Sequence, residues 1–113
     1  MDCIFCKIVE GTIPSTKVFE DERVVGFLDI RPAAPVHVVI IPKKHISDMN
    51  GVEEEDLPLI ADIHRAARQI AVERGVAESG YRLVNNCGPD SGQEVFHLHY
   101  HLLGGHKLGL PIA

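Results

Sequence analysis

Three histidines alternate with hydrophobic residues in the run His97-Leu98-His99-Tyr100-His101. In an extended strand, residues two apart share a face. The three imidazoles therefore line one surface, and Leu98, Tyr100 and Leu102 line the other. Two chemistries fit that arrangement. Neutral imidazoles at this spacing can converge on a metal ion. A neutral imidazole also offers an unprotonated nitrogen near pH 7, and its attack on phosphorus would give a covalent phosphohistidine, dividing one hard substitution into two easier ones. A backbone carbonyl accepting from one ring nitrogen would fix the tautomer and free the other to attack. The loop Cys87-Gly88-Pro89-Asp90-Ser91-Gly92 precedes the run. Its glycines add no bulk and expose N–H groups, so it can approach a phosphate closely. Next to a histidine strand, such a loop favours phosphate chemistry over a bare metal site.

A second set of residues could hold a metal. Cys3-x-x-Cys6 has the spacing of half a tetrahedral zinc site, although burial explains a lone pair of this kind equally well. Cys87 sits in the phosphate loop and is not expected to be a ligand. His64 and His106 read as solvated or packing histidines.

These groups need a scaffold, and 113 residues suffice for one domain (1–113) with a real core. Hydrophobic residues make up 45% and charged residues 24%, an ordinary soluble balance. No apolar run approaches a membrane span, and Met1-Asp2-Cys3-Ile4 does not resemble a secretory signal, so a cytoplasmic protein is expected. With a formal charge of −5 and no basic stretch beyond Lys43-Lys44, the chain lacks the footprint of a nucleic-acid polymer binder. A single nucleotide needs no such footprint.

The elements follow from pattern. Ile4 to Glu10 is expected as a short helix ended by Gly11 and Pro14, and Lys17 to Glu20 and Arg23 to Asp29 as strands around a tight turn. Arg31-Pro32-Ala33-Ala34-Pro35 is a loop, and Val36 to Pro42 a β-branched strand. A long helix lies between about Glu53 and Gly75, regular from Asp56 or Leu57 because Pro58 is tolerated only in a first turn. Leu59, Ile63, Ala66, Ala67, Ile70 and Ala71 form its apolar stripe, and Glu53 to Asp56 complement its dipole. Strands are expected at Tyr81 to Asn86 and at His97 to Leu103. The fold class is α+β: a five-stranded, mainly antiparallel sheet with one long helix and a short N-terminal helix.

The run His97 to Leu103 resembles the His-x-His-x-His-x-x motif of the histidine-triad (HIT) family. The likeness extends to Phe27-Leu28-Asp29-Ile30, to Pro35 through His45, to Asn86 with Gly92-Gln93, and to Ile4-Phe5-Cys6-Lys7-Ile8 and Ile13-Pro14. Leu103-Gly104-Gly105 looks like the Hint branch of nucleoside phosphoramidate hydrolases, and His101 argues against the uridylyltransferase branch. The resemblance implies a hydrolase acting on phosphorus–nitrogen or phosphorus–oxygen bonds of an AMP- or GMP-type nucleotide. His99 would attack the α-phosphorus, and water would then release the monophosphate. His101 and His37 would bind phosphate oxygens or move protons, with His97 as a brace. Asp29 would accept from the ribose hydroxyls, while Phe5, Ile8, Phe27 and Ile30 would enclose the base. Asn86 and the Gly92-Gln93 backbone would position the phosphate, with Glu94 and Val95 among the nucleotide-binding residues.

Some HIT proteins complete a Cys-x-x-Cys pair with the histidine after Pro-Lys-x and the first triad histidine. Here this implies structural zinc on Cys3, Cys6, His45 and His97, with no metal required for the chemistry. The family also implies a homodimer whose sheets join into a larger one. One position departs from well-known Hint members, Glu94 standing where many carry serine, and the tail Leu108-Gly109-Leu110-Pro111-Ile112-Ala113 lacks a tryptophan seen in some relatives. The competing functions are a metal-binding protein or metal-dependent hydrolase using the histidine strand, and a nucleotide-binding interaction module.

Overall fold

In the computed structural model, which describes residues 3–109, five strands form one fully antiparallel sheet in the order β1-β2-β3-β5-β4. They are β1 (Lys17–Glu20), β2 (Val24–Leu28), β3 (Val36–Pro42), β4 (Tyr81–Asn85) and β5 (Tyr100–Gly104). Helix α1 (Ile4–Glu10) and helix α2 (Leu57–Glu73) cover opposite faces. Both faces being covered explains why β3 reads as an apolar run rather than an alternation. Its Val38 and Ile40 join the α2 core, while Val39 and Ile41 pack under α1 with Ile8, Val25 and Phe27.

The stripe of α2 is core: Ile63, Ala66, Ala67, Ile70 and Ala71 are buried against the sheet. Its close seating requires Gly26 in β2, where an added Cβ would stand 3.0 Å from Ile70 Cδ1. The acidic cluster before α2 does more than complement a dipole. Glu53 and Asp56 form a reciprocal capping box, and buried Asp56 pairs with Lys44 at 2.6 Å.

The strand at the histidines is shorter than expected. β5 begins at Tyr100, so of the three alternating histidines only His101 lies within the ladder. Ahead of it, the Leu98 N–H bonds to the Ile46 carbonyl at 2.6 Å. The facial alternation nevertheless persists, with Leu98, Tyr100 and Leu102 in the α2 core and the histidines on the α1 side. β2 and β4 are likewise trimmed, to Val24–Leu28 and Tyr81–Asn85. Residues 110–113, most of the tail without tryptophan, lie outside the described residues. Among the described residues, no helix is long and apolar enough to cross a membrane.

Candidate active site and metal cluster

A cavity of about 260 Å³ opens between α1, the end of β2 and the segment leading into β5. Phe5, Ile8, Phe27, Asp29, Ile30, Asn86, Gly92, Gln93, Glu94, Val95, His99 and His101 all line it. The apolar members divide by burial. Ile8 and Phe27 are 6% and 5% exposed and also belong to the core, whereas Ile30 is 92% exposed at the rim and holds up no core. Sequence reasoning missed Ile4, Ile13, Pro14, Ser15, Leu28 and Val39 on the same walls. All of these but Ser15 carried a signal, as part of the family likeness.

Hydrogen bonds set which nitrogen carries the proton in each neutral histidine ring. His99 Nδ1 lies 2.8 Å from the His97 carbonyl oxygen. A carbonyl only accepts, so Nδ1 carries the proton and the neutral ring keeps its Nε2 lone pair. The Phe5 ring meets His99 edge to face, with centroids 5.1 Å apart. Asn85, another residue that sequence reasoning missed, donates to the His99 carbonyl at 2.9 Å and holds the backbone there.

Behind His101 stands His37. The Ala33 N–H donates to His37 Nδ1 at 3.0 Å, so the neutral ring carries its proton on Nε2. That Nε2–H donates to His101 Nδ1 at 2.8 Å, which leaves the His101 proton on Nε2. Asp29, His37 and His101 bring potential ligand atoms within 4.8 Å, but the neutral His37 ring carries its proton on Nε2, the atom that would have to face a metal. Asp29 Oδ1 accepts from the Arg31 N–H at 2.7 Å, and its Oδ2 lies 3.5 Å from His37 Nε2.

Burial lowers the His101 pKa to about 4, helped by His99 and His37 and opposed by Asp29. Burial also lowers His37, against the pull of Asp29. Both rings are therefore neutral at pH 7. An unfolded chain takes up these protons near pH 6.5, earlier than the folded one. Stability is thus complete above pH 6.5 and falls as the pH drops toward 4. His101 alone contributes a loss of roughly 3 kcal/mol over that window. Denaturant midpoints from pH 7 to pH 4 check this, and the window should narrow in His101→Asn.

The glycine loop holds itself together. The Gly88 N–H donates to Gln93 Oε1 at 2.8 Å, and the N–H groups of Gly92 and Gln93 turn to the carbonyls of Pro89 and Gly88 at 3.0 and 3.3 Å. Gly92 caps this turn with a φ of 87°, a conformation suited to glycine. The Gln93 amide also donates to the Ser47 and Val95 carbonyls at 3.0 Å each. Glu94 and Val95 line the cavity, and their N–H groups have no partner among the described residues.

On the far side of His97, four donor atoms converge: Cys3, Cys6, His45 and His97, all within 4.8 Å. His97 Nε2 lies 2.8 Å from the Pro42 carbonyl and must donate there. Its Nδ1 lone pair then faces Cys3 Sγ at 3.4 Å, Cys6 Sγ at 3.6 Å and His45 Nδ1 at 3.2 Å. Cys6 Sγ is 3.3 Å from His45 Nδ1. A tetrahedral zinc with ligand bonds of about 2.0 to 2.3 Å has edges of about 3.3 Å between nitrogens and about 3.6 Å between nitrogen and sulfur. The donor set and its spacing therefore fit zinc. Burial lowers the His97 pKa and keeps a lone pair for a metal, while burial and the Cys3 thiol raise that of Cys6. Cys87 lies outside the cluster, His64 is exposed with its ring 5.4 Å from that of Tyr100, and His106 is exposed.

Residues 2–109 match the family described as "Scavenger mRNA decapping enzyme C-term binding". The chain is 44% identical over 112 residues to the purine nucleoside phosphoramidase of Escherichia coli K12, covering 99% of this chain and 94% of that one. A HIT family hydrolase from Legionella pneumophila Philadelphia 1 superposes with a TM-score of 0.95 at 51% identity, covering 97% of this chain and 98% of its own. A zinc-bound histidine triad family protein from Mycobacterium smegmatis matches at 36% identity and a TM-score of 0.78, covering 91% and 74%. The chain therefore belongs to the histidine-triad (HIT) family and is close to its hydrolases.

Proposed function

We propose that the protein is a purine nucleoside phosphoramidase that works through a nucleotidyl-His99 intermediate. The observation that carries this reading is the bond from His99 Nδ1–H to the His97 carbonyl, which commits one nitrogen and leaves Nε2 as a nucleophile at a cavity. Nε2 attacks the α-phosphorus as the phosphorus–nitrogen bond breaks, and the amine leaves with a proton taken from solvent. Water then attacks the phosphorus, loses a proton, and releases the nucleoside monophosphate with free His99. His101 donates its Nε2–H to a phosphoryl oxygen, and His37 holds it in that tautomer. The unpaired N–H groups of Glu94 and Val95 offer further donors to the phosphate, as an oxyanion site requires. Asp29 takes the ribose hydroxyls, and Phe5, Ile8, Phe27 and rim-exposed Ile30 enclose the base. Cys3, Cys6, His45 and His97 would hold zinc. With four protein donors, the metal would brace His97 and supply no reactive position.

The test is steady-state hydrolysis of an adenosine phosphoramidate with and without chelator, together with intact mass after acid quench. Turnover that survives chelator, with a mass increase of one adenylyl group, is expected. Turnover abolished by chelator while the fold persists would move the chemistry to the metal. Tight monophosphate binding without turnover would make the protein a binding module.

A two-fold homodimer and a cytoplasmic location are part of the same proposal. The stripe of α2 is covered by this chain's own sheet, so any dimer contact has to use other surface. Light scattering of the purified protein decides the assembly.

A further inference from the structure

A second cavity, of about 540 Å³, shares Ile4, Glu94 and Val95 with the first. Phe96 and Ile4 give it an apolar wall, 49% and 48% exposed. Glu94 is exposed and makes no ion pair or side-chain hydrogen bond with any described residue. Among the described residues, no lysine or arginine lines either cavity. The two carboxylates on their walls are Asp29, assigned above to the ribose, and Glu94.

One residue thus stands at the junction with two functions available to it. Glu94 lines both cavities, its N–H has no partner among the described residues, and no described residue compensates the charge of its carboxylate. A phosphate or polyphosphate leaving group would bring more negative charge beside that carboxylate, and no described lysine or arginine lines either cavity to receive it. An amine with a further positive charge would be attracted, and its carbon chain could cover Ile4 and Phe96.

Building on the phosphoramidase reading, we propose that the second cavity receives the leaving amine. Glu94 there selects amines that carry an additional positive charge on a short apolar chain and disfavours phosphate leaving groups. A single charge pair at about 5 Å in a wet site corresponds to about a five- to tenfold preference, and added salt weakens it.

The experiment compares two nearly isosteric adenosine phosphoramidates, one of 1,3-diaminopropane and one of butylamine, with ADP as the phosphate-leaving control. The wild type should favour the diaminopropane compound in kcat/KM by about five- to tenfold at low salt, with the ratio shrinking at about 0.5 M salt. Glu94→Gln should reduce the ratio toward one, which cancels any intrinsic difference between the two amines. Glu94→Lys should invert it and raise the relative rate on ADP. A ratio unchanged in Glu94→Gln overturns the selection. Binding to His99→Ala protein, with and without Glu94→Gln, reads the same selectivity without turnover. If neither phosphoramidate is hydrolysed but the Kd ratio still depends on Glu94, the hydrolase reading falls and the selectivity stands. If both are hydrolysed with a ratio indifferent to Glu94, the selectivity alone falls.

Discussion

His99→Ala should lower kcat/KM for an adenosine phosphoramidate by about a thousandfold or more, at least about 4 kcal/mol of transition-state stabilisation. The expectation follows from a division of labour among the histidines. His99 alone combines a fixed Nδ1 proton with a free Nε2 on the cavity, so no neighbour can replace it by a rotamer change. His101 has its Nδ1 committed to His37 and can offer only a donor. His101→Ala should therefore cost about ten- to a hundredfold, the scale of one charge-stabilising hydrogen bond. His37→Ala should cost less, because it acts through His101. Binding of AMP to His99→Ala, measured by calorimetry, should stay within a few fold of wild type, since Asp29 and the apolar walls are intact. Activity of His99→Ala within tenfold of wild type would place the nucleophile elsewhere. A thousandfold loss with no adenylyl adduct on the wild type would point to direct attack by water.

The fold was legible where short-range pattern and packing agree. β3 and α1 follow the expected bounds, and α2 starts at Leu57 as Pro58 requires. The same pattern overextended β5. Alternation reports which way side chains point, and at His97 to His99 they do alternate. A ladder also needs partners, and β4 ends at Asn85 opposite Tyr100. The Leu98 N–H goes instead to Ile46, and the His97 carbonyl turns to the ring of His99. That departure from strand geometry is itself the device that sets the His99 tautomer.

The site was legible as a set of residue types and only partly as geometry. Ala33 and Asn85 act on His37 and His99 through hydrogen bonds formed 4 and 14 residues away in sequence. Neither an alanine N–H nor a strand-end asparagine announces such a role. The glycine loop was readable as a turn, but most of its N–H groups close on the loop itself. Among the described residues lining the cavity, Glu94 and Val95, two and three residues after Gly92, have N–H groups without a partner. Composition could not have distinguished these cases, because the partners are fixed by tertiary placement.

The four-donor cluster leads to the other large effect, on stability rather than rate. His97 is fully buried, donates to Pro42, and turns its Nδ1 toward two sulfurs and His45. His97→Ala removes one of the four donors that could hold a metal, leaves a cavity, and orphans the Pro42 carbonyl, together costing about 3–5 kcal/mol. The interaction that fixes His99 uses the His97 backbone carbonyl, which alanine retains. Its kcat/KM should therefore fall much less than that of His99→Ala, at temperatures where the variant is folded. Cys6→Ser separates metal binding from packing, because it keeps the His97 ring and its Pro42 contact. Zinc at a hundred times its dissociation constant should raise the unfolding free energy of wild type by about 2.7 kcal/mol, and that of Cys6→Ser by far less. Urea unfolding of both proteins, with zinc and with chelator, measures the difference directly. An equal response to zinc in the two would mean that the metal binds elsewhere and that the thiols at the start of α1 serve packing alone.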